Sequence, residues 1–596
     1  MPDHQPASKP QPPPAPRHLA LLLHAHLPYV RHPEYPRFLE EDWFFEALAE
    51  TYLPLLDSLE RLIHHEGITD FQITLSITPT LCAMLDDPLL QERFVKYLER
   101  GILLADDEIG RNRALGEPHR RHLARYYRHR LQHFQSRFSN HHRRHVLDAF
   151  RHYQELGVLE IIASAATHAI LPLHLETPET IRAQIQIGIQ SYRDTFGRHP
   201  AGFWLPECAY APELDPFLKE AGIQWTVLES HGLLYGDPAP ANSVFKPART
   251  PNGITVFGRD PASSRQVWSA DQGYPGNPVY REFYRDLGYD LPEQFLREYL
   301  DSEPDRRFTG LKYHRITDRQ SDEKELYDPD DAEEMARAHA AHFVQHRASQ
   351  LAELDPKIDG EPIVVCAFDA ELFGHWWFEG PTFLEQLIRQ VAHRNADEKT
   401  ANPFELSSPT QYLESNLWLE RVEPSPSTWG LNGYLESWLA EENAWIYPHL
   451  HQAARHLIKL ISEINDGSAV ALDTQKSSAV AAPNPLDSKL KTKDSKLRQA
   501  YLQQMTRELL LAQSSDWAFL LKTNTAPEYA EKRLRTHVSR FSELLAQLDQ
   551  NRINSELLQA CFNQTPLFRS LNPNHFANPN TKVSATASRP PSIVKP

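Results

Sequence analysis

Seven short apolar segments, separated by stretches with helical periodicity, constrain the fold of this 596-residue chain more than any other feature. Strands that alternate with helices favour parallel pairing, because a parallel neighbour requires a long crossover connection that a helix can supply. The rhythm therefore predicts an α/β fold with a barrel-like parallel sheet. The segments are Leu19–Leu23, Phe71–Ile77, Val158–Ala163, Gly202–Leu205, Gln224–Leu228, Ile254–Phe257 and Ile363–Phe368.

Polar residues follow these segments at the points where the predicted strands end. In a barrel of parallel strands, the carboxyl ends form one face, and that face carries the functional residues. We therefore expect the side chains that follow the strands to lie near one another. They are His24, His26, Ser76, Thr78, Ser164, His168, Glu207, Glu229, His231, Arg259, Asp260 and Asp369.

Two of the strand ends place a carboxylate among aromatic rings, Glu207 within 203–210 and Asp369 within 368–377. Sugar rings present flat C–H faces that stack on aromatic rings, and glycosidic bonds are broken by two carboxylates. The pair therefore indicates chemistry on a glycosidic bond. A separation of about 5 Å would give retention and one of about 6.5–9.5 Å inversion. Glu371, two residues after Asp369, is an alternative for either role.

Other candidate residues keep more than one interpretation. His24 and His26 lie on the same side of an extended chain, so they could bind a metal, or they could donate hydrogen bonds to sugar hydroxyls or to core groups. The metal alternative lacks a convincing third ligand. Arg259 and Asp260 could form a structural ion pair or a clamp that orients the nucleophile. The tryptophans near loop ends are individually typical of a core, but together they favour stacking platforms.

Composition limits the classes of binding partner and the cellular compartment that we expect for this protein. A net charge of −17 argues against a nucleic-acid or anionic-membrane surface and suits a neutral glycan. The four cysteines have no close pairing, so neither a disulfide framework nor a thiolate zinc site is indicated. No apolar run approaches the roughly 20 residues that span a bilayer. We expect a cytoplasmic protein.

Composition shifts along the chain predict its organisation. A basic, histidine-rich stretch with helical character interrupts the barrel, and we interpret it as a solvated insertion. The C-terminal part is helical and is interrupted by a segment with few large apolar residues. The expected divisions are a disordered leader at 1–16, a catalytic barrel at 17–401 with a helical insertion at about 106–150, a helical C-terminal domain at 402–570 with a flexible insert at 466–494, and a disordered tail at 571–596.

Five separated segments resemble the motif set of glycoside hydrolase family 57, in the order in which that family has them. They are His24–Tyr29, Gly157–Ile161, Trp204–Tyr210, Phe368–Trp377 and Trp429–Trp438. Within the family, further segments are similar to the 1,4-alpha-glucan branching enzymes: Arg259–Asp260, Gln266–Ser269, Gly273–Gly276, Tyr280–Asp286, Thr309–Tyr313 and Glu508–Trp517. The resemblance extends from about Arg17 to Leu548.

This resemblance implies an incomplete (β/α)7 barrel with a helical insertion and an α-helical C-terminal domain. It implies that Glu207 is the nucleophile and Asp369 the general acid/base of a retaining, metal-free double displacement, with a gap of about 5 Å. No cofactor is expected. The loop near Tyr235 would cover the cleft. The expected substrate-binding residues are His24, His26, His168, Tyr235, Arg259, Asp260, Trp268, His375, Trp376, Trp429, Trp438 and Asp516.

The activity implied by the resemblance is glucan branching, with a linear α-1,4-glucan such as amylose or glycogen as both donor and acceptor. An α-1,4 bond is cleaved, and the fragment is passed to a 6-hydroxyl. An amylase or a 4-alpha-glucanotransferase of the same family is the nearest alternative, since both would use the same carboxylates. More distant alternatives are a metal-dependent barrel hydrolase that uses His24 and His26, and a non-catalytic glucan-binding protein.

Overall fold

The computed structural model describes residues 16–269, 273–299, 306–318, 320–396, 404–466 and 485–577, without the side chains of 393–396 and 485–495. Most of the expected leader, the middle of the expected insert and most of the expected tail lie outside the described residues.

Nine strands are described, and each of the seven predicted apolar segments overlaps one of them. β6 and β9 were not predicted, because neither of these two-residue strands lies in an apolar segment such as the one that contains β4. The strands are β1 His18–Ala25, β2 Ile73–Ile77, β3 Leu159–Ser164, β4 Phe203–Trp204, β5 Trp225–Leu228, β6 Ala248–Arg249, β7 Thr255–Gly258, β8 Ile363–Asp369 and β9 Glu405–Leu406.

Seven parallel strands surround the core in the order β4-β3-β2-β1-β8, followed by β7 and β5. The circuit is closed by only two narrow contacts. Gln224 N donates to Ala201 O (2.9 Å) between β4 and β5, and Asp260 N donates to Val365 O (2.8 Å) between β7 and β8. The predicted incomplete (β/α)7 barrel is thereby confirmed. Its strands are almost wholly buried, as expected for a parallel sheet that is covered on both faces.

Helices cover the barrel and continue beyond it; a π-helical turn, Leu48–Tyr52, joins the first two of them. They are α1 Glu41–Ala47, α2 Leu53–Glu60, α3 Pro79–Leu85, α4 Pro88–Leu115, α5 Pro118–Ser136, α6 Val146–Glu155, α7 Pro178–Phe196, α8 Asp215–Glu220, α9 Ser230–Leu234, α10 Pro261–Trp268, α11 Leu287–Asp290, α12 Glu293–Leu296, α13 Pro329–Leu354, α14 Gly380–Ala396, α15 Pro409–Ser415, α16 Ile446–Asn465, α17 Pro485–Ala512, α18 Ser515–Thr523, α19 Pro527–Asp549 and α20 Ser555–Gln564.

Several expected boundaries move. The helical insertion begins at Pro88 with α4, ahead of the expected position near 106. β9 pairs with β1 beyond the expected barrel end at 401, and α17 begins at Pro485, inside the expected insert. The first residues of the expected tail are packed, because Leu571 and Phe576 are buried against the C-terminal helices. Single apolar residues in a polar segment carry too little signal for sequence analysis to detect such packing.

The C-terminal helices dock onto the face of the barrel at which the parallel strands end. Ser515 N donates to His168 O (3.2 Å), and Gln184 Nε2 donates to Gln513 Oε1 (3.0 Å). Arg533 adds a hydrogen bond to Tyr29 O (3.0 Å). The C-terminal region is therefore positioned to contribute side chains to a site at that face. Among the described helices, none has the length and apolar character needed to cross a membrane.

Candidate active site

Two carboxylates lie where β4 and β8 end. Glu207 is in the short 3-10 turn Pro206–Cys208 directly after β4, and Asp369 is the last residue of β8, opposite His24 across the ladder. The backbone of Glu207 (φ 60°) and of Cys208 (φ 51°) adopts the left-handed conformation. Non-glycine residues hold this conformation at a cost of about 1–3 kcal/mol, and such strain concentrates at functional sites.

Hydrogen bonds orient the Glu207 carboxylate. Trp429 Nε1 donates to Oε2 (2.6 Å), and Trp429 N donates to Glu207 O (3.0 Å). The second oxygen, Oε1, lies 3.9 Å from His168 Nδ1. The Glu207 side chain is 23 % exposed, so it remains open toward the cleft. One oxygen is thus held by the indole while the other faces the histidine.

The pKa values of both carboxylates are raised. Burial, together with the charge of Asp369, raises the pKa of Glu207 to about 8, and the hydrogen bond from Trp429 opposes the rise. Burial raises the pKa of Asp369 to about 6, and the nearby positive charges of Arg259 and His26 oppose it. The pair therefore retains a proton near neutral pH, as acid/base chemistry requires.

Arg259 supports the catalytic pair from behind. Its Nε donates to Ala367 O (2.9 Å), its Nη1 donates to Glu229 Oε2 (3.0 Å), and its guanidinium lies 5.0 Å from the centre of the Trp429 ring. Arg259 thereby ties β7, β8 and the indole that contacts Glu207 into one unit. Of the two interpretations from sequence, the clamp is the one that this geometry favours.

The carboxylate of Asp260 is bound by protein donors. It accepts hydrogen bonds from Ser263 N (2.6 Å), Arg347 (2.8 Å) and Gln350 (2.9 Å), and it is buried. It therefore caps α10 and pairs with Arg347 of α13, and its predicted contact with substrate stays a prediction.

Three histidine rings stack beside Glu207. The rings of His26 and His168 are 3.7 Å apart, those of His24 and His168 are 5.0 Å apart, and His24 lies 4.9 Å from Trp204. His24 and His168 also share a hydrogen bond between their Nε2 atoms (2.9 Å). Burial lowers the pKa of both, so they are neutral, and one ring donates the shared hydrogen while the other accepts it.

The outer nitrogens of the stack are held by the end of β2 and by the C-terminal region. His24 Nδ1 contacts Ser76 Oγ (3.1 Å), and His26 Nδ1 contacts Thr78 Oγ1 (3.0 Å), at the end of β2. Ser515 and Asp516 of α18 contact His168 Nδ1 (2.8 Å) and His26 Nε2 (3.1 Å) respectively. Within the described part of the chain, no set of three His, Cys, Asp or Glu side chains has metal-binding geometry.

Glu371, the alternative carboxylate, lies behind Asp369. Its Oε1 accepts hydrogen bonds from the Tyr52 hydroxyl and from His26 N (3.1 Å), and its side chain is buried. Burial raises the pKa of Glu371 to about 8. Glu371 therefore positions the His26 loop through its Oε1 atom, and it is more deeply buried than Glu207.

The predicted aromatic residues divide into exposed and buried members. Trp268, the last residue of α10, and Tyr235, just after α9, are exposed, so both can contact a ligand. Trp438 is only 1 % exposed, and its ring packs so closely on Gly430 that a Cβ there would lie 2.6 Å from it. Trp438 consequently supports the turn that carries Trp429, whereas its predicted contact with glucan stays a prediction.

His375 and Trp376 point in different directions. The ring of His375 lies 3.6 Å from Glu46 and 3.9 Å from Glu50, away from the catalytic pair, and burial lowers its pKa to about 4. A direct contact between His375 and substrate at the catalytic pair is not supported. Trp376 is half exposed.

Sequence reasoning missed two residues of the site. Ser515 lies inside a motif that we had quoted, but a serine in a helical segment carries no signal of its own. Tyr52, which donates to Glu371, lies on a helix turn whose apolar pattern indicates only a core residue. Ser76 and Thr78 were recognised as strand-end residues, although their pairing with the histidines was not.

Comparison with known proteins identifies similar sequences and structures. The model of glycosyl hydrolase family 57 matches residues 20–417, and a model described as "1,4-alpha-glucan branching enzyme, C-terminal" matches residues 485–576. A 1,4-alpha-glucan branching enzyme of Thermococcus kodakarensis is 31% identical over 563 residues, covering 89% of this chain and 74% of that protein.

Two solved structures share the whole architecture. The alpha-amylase AmyC from Thermotoga maritima is 38% identical with a TM-score of 0.82, and the match covers 95% of this chain and 99% of that one. The family 57 branching enzyme of Pyrococcus horikoshii is 30% identical with a TM-score of 0.78, and the match covers 97% and 100% respectively. The chain is thus similar over nearly its full length to proteins with two different named activities.

Proposed function

The chain belongs to glycosyl hydrolase family 57, and from that premise we propose that it is a 1,4-alpha-glucan branching enzyme. It would cleave an α-1,4 bond in a linear glucan and pass the fragment to a 6-hydroxyl group, so that an α-1,6 branch forms. Linear α-glucan serves as both donor and acceptor.

One observation carries the proposal beyond family membership. Ser515 and Asp516 contact two of the three stacked histidines, and both belong to the C-terminal region that the branching-enzyme model matches. This region completes the surroundings of Glu207. The part of the chain that is similar to branching enzymes therefore contributes residues to the site.

In the first step, Glu207 attacks the anomeric carbon while Asp369 gives its proton to the glycosidic oxygen. The bond between that carbon and that oxygen breaks. In the empty cleft, the pKa values favour the proton on Glu207. A bound glucan reverses this preference, since its glycosidic oxygen accepts a hydrogen bond from protonated Asp369 and the positive charge developing on the sugar favours ionised Glu207. The donation from Trp429 to Glu207 acts in the same direction.

In the second step, Asp369 removes the proton from an acceptor 6-hydroxyl, whose oxygen attacks the same carbon and releases Glu207. Two inversions at one carbon give net retention. Transfer exceeds hydrolysis when water is excluded and an acceptor sugar is already bound. The exposed Tyr235 and Trp268 are suited to contact such a sugar.

The proposal is tested by incubating the purified protein with amylose and following α-1,6 linkages by proton NMR together with reducing ends. New branches should appear, with fewer new reducing ends than branches. Reducing ends that accumulate without branches would reject the transferase.

An amylase is the second candidate, because the similar structure from Thermotoga maritima carries that name at 38% identity. Both activities use the same first step and differ only in whether water or a sugar hydroxyl attacks the intermediate. The ratio of branches to reducing ends in the amylose experiment therefore decides between them.

We further propose that the protein acts in the cytoplasm, in the synthesis of a storage glucan such as glycogen. All four cysteines are free and buried, which suits a reducing compartment, and the net charge of −17 suits a neutral polymer.

A further inference from the structure

A cluster of aromatic rings stands on the surface beside the loop that follows β8. It comprises Phe283, Tyr284, Tyr289, Phe308 and Trp376, and we term it the aromatic platform. None of these rings contacts Glu207 or Asp369. Only Trp376 was predicted from sequence to bind substrate, and the other four rings have no role in the site described above.

Trp376 presents a flat face to solvent. Its indole stacks on Phe283 with ring centres 4.6 Å apart and planes 24° apart, yet the side chain is 52 % exposed. Because Phe283 covers one face, the exposed half includes the opposite face. An open indole face held parallel to a supporting ring is the surface on which the C–H face of a sugar stacks.

A buried cation fixes the platform from below. The ammonium group of Lys312 lies 4.2 Å from the centre of the Phe283 ring and 4.1 Å from that of Phe308, and it donates to the Phe283 carbonyl. Tyr284 meets Phe283 edge-on at 5.0 Å and is 74 % exposed. Rings that are already held in place lose little conformational entropy when a ligand binds.

Trp376 of the platform and Asp369 of the carboxylate pair lie on one segment, the end of β8 and the loop that follows it. Trp376 N donates to Glu371 O (3.1 Å), and the Glu371 carboxylate accepts from His26 N (3.1 Å). His375 N donates to Thr51 Oγ1 (3.1 Å), one residue from the Tyr52 that contacts Glu371. A polymer bound in the cleft and a chain bound on the platform therefore lie against the same short segment.

The charges around the platform are balanced. Arg285 pairs with Asp290 (3.2 Å), and Lys324 pairs with Glu282 (3.3 Å). A surface of aromatic faces edged by neutralised charges suits a neutral hydroxylated polymer better than a charged partner.

We propose that the aromatic platform is a second glucan-binding site that holds the acceptor chain outside the catalytic cleft. Consecutive glucose rings of a linear α-1,4-glucan stack on Trp376 and Tyr284. Holding the acceptor there raises the local concentration of 6-hydroxyl groups at the glycosyl intermediate. The assignment of the bound chain as acceptor rests on the proposed branching function, whereas its identity as a glucan is tested separately.

The first experiment measures binding without turnover. In full-length protein carrying Glu207→Gln, the Kd for long amylose and for maltotriose is measured with and without Trp376→Ala. We expect about tenfold weaker binding of amylose, the effect of losing one aromatic contact, and less than a twofold change for maltotriose. Trp376→Phe should restore part of the affinity. The matched control is Trp418→Ala, since Trp418 is 93 % exposed and lies outside the platform; it should leave both affinities unchanged.

The second experiment measures branching against cleavage in the otherwise wild-type chain. Trp376→Ala should lower the ratio of branching on amylose to cleavage of a short chromogenic maltooligoside about tenfold. An unchanged amylose affinity, or an equal fall in both activities, would overturn the platform. A change in oligomer size with unchanged affinity would assign the surface to a second copy of the chain instead. Wild-type protein that cleaves without branching would reject the proposed function, while the binding experiment would still decide whether the platform binds glucan.

Discussion

Individual residues of the site divide into those that we propose to react and those that hold them in place. Glu207 and Asp369 are partly exposed, whereas Glu371 and Asp260 are buried and accept hydrogen bonds from protein donors. All four are acidic residues at strand ends, so their sequence context alone cannot separate them. The burial and the hydrogen-bond partners of these residues in the structure do separate them.

Removal of single carboxylates should therefore have very different effects. We expect Glu207→Gln and Asp369→Asn each to lower the rate of glucan cleavage about 10²–10⁴-fold, the range attributed to a lost catalytic carboxyl group. Glu371→Gln should retain activity within about tenfold, because an amide oxygen can still accept from Tyr52 and His26. Initial rates on amylose provide the comparison. If Glu371→Gln were inactive and Asp369→Asn active, Glu371 and not Asp369 would be the general acid/base.

The pH dependence of cleavage should be bell-shaped. The reaction needs one proton on the pair, so the rate falls on the acid side as a second proton binds, near pH 6, and on the alkaline side as the shared proton leaves, near pH 8. Profiles of kcat/KM at constant ionic strength check this. Asp369→Asn should abolish the alkaline limb of its residual activity, and a profile that stays flat between pH 5 and 9 would contradict the assignment.

At the scale of elements, the turn between Trp429 and Trp438, which we term the bracket, holds the side chain of Glu207 in place. Gly430 lets the Trp438 ring pack under the turn, and the turn directs the Trp429 indole at Glu207. A buried tryptophan thereby acts on the site through another tryptophan.

Gly430→Ala should disturb this bracket. The added Cβ would lie 2.6 Å from the Trp438 ring, so the turn must shift, and overpacking of this kind costs about 1–3 kcal/mol of stability. We expect a lower melting temperature and a loss of activity larger than the loss of folded protein explains. Gly110→Ala in α4 is the control, because its Cβ would meet nothing within 4 Å and alanine favours a helix. Equal activity losses in both variants would argue against a specific role for the turn.

The elements of the barrel were predictable to the extent that burial leaves a local pattern. β1 and β8 are buried on both faces and contain continuous apolar runs, whereas the equally buried β2 alternates apolar residues with Thr74 and Ser76. β6 and β9, with two residues each, leave no such pattern. Whether a tryptophan at a loop end is exposed, as Trp376 is, or buried, as Trp438 is, depends on neighbours distant in sequence.

For the molecule as a whole, buried titratable groups set how stability changes with pH. Burial raises the pKa of Glu46, Glu207 and Glu371 to about 8. Groups of this kind contribute stability that is fully present below their unfolded pKa, near 4.5, and is lost as pH rises toward 8. Burial lowers the pKa of His24 and His168, whose contribution is present above about pH 6.5 and is lost as pH falls.

The free energy of unfolding should accordingly fall as pH rises from 6.5 to 8, because the buried carboxylates must ionise. It should also fall as pH drops below 4.5, because the buried histidines must take up protons and because Glu50 and Asp57, whose pKa values are lowered in the fold, must be protonated. Denaturant unfolding at a series of pH values measures both limbs. Glu371→Gln should flatten the alkaline limb, since each pKa unit that it removes is worth about 1.4 kcal/mol. An unaltered alkaline limb in that variant would contradict the raised pKa of Glu371.

The sequence by itself determined the alternation of strands and helices, the carboxylates at the ends of β4 and β8, and the family that their motifs resemble. These properties are local, because a strand or helix records its own burial in the period of its apolar residues. Only the tertiary structure decided that α18 supplies Ser515 and Asp516 to the histidine stack, that Asp260 and Trp438 are buried, and that Trp376 forms a platform. Those contacts join residues far apart in sequence, and they exist only once the barrel closes and the C-terminal helices dock on it.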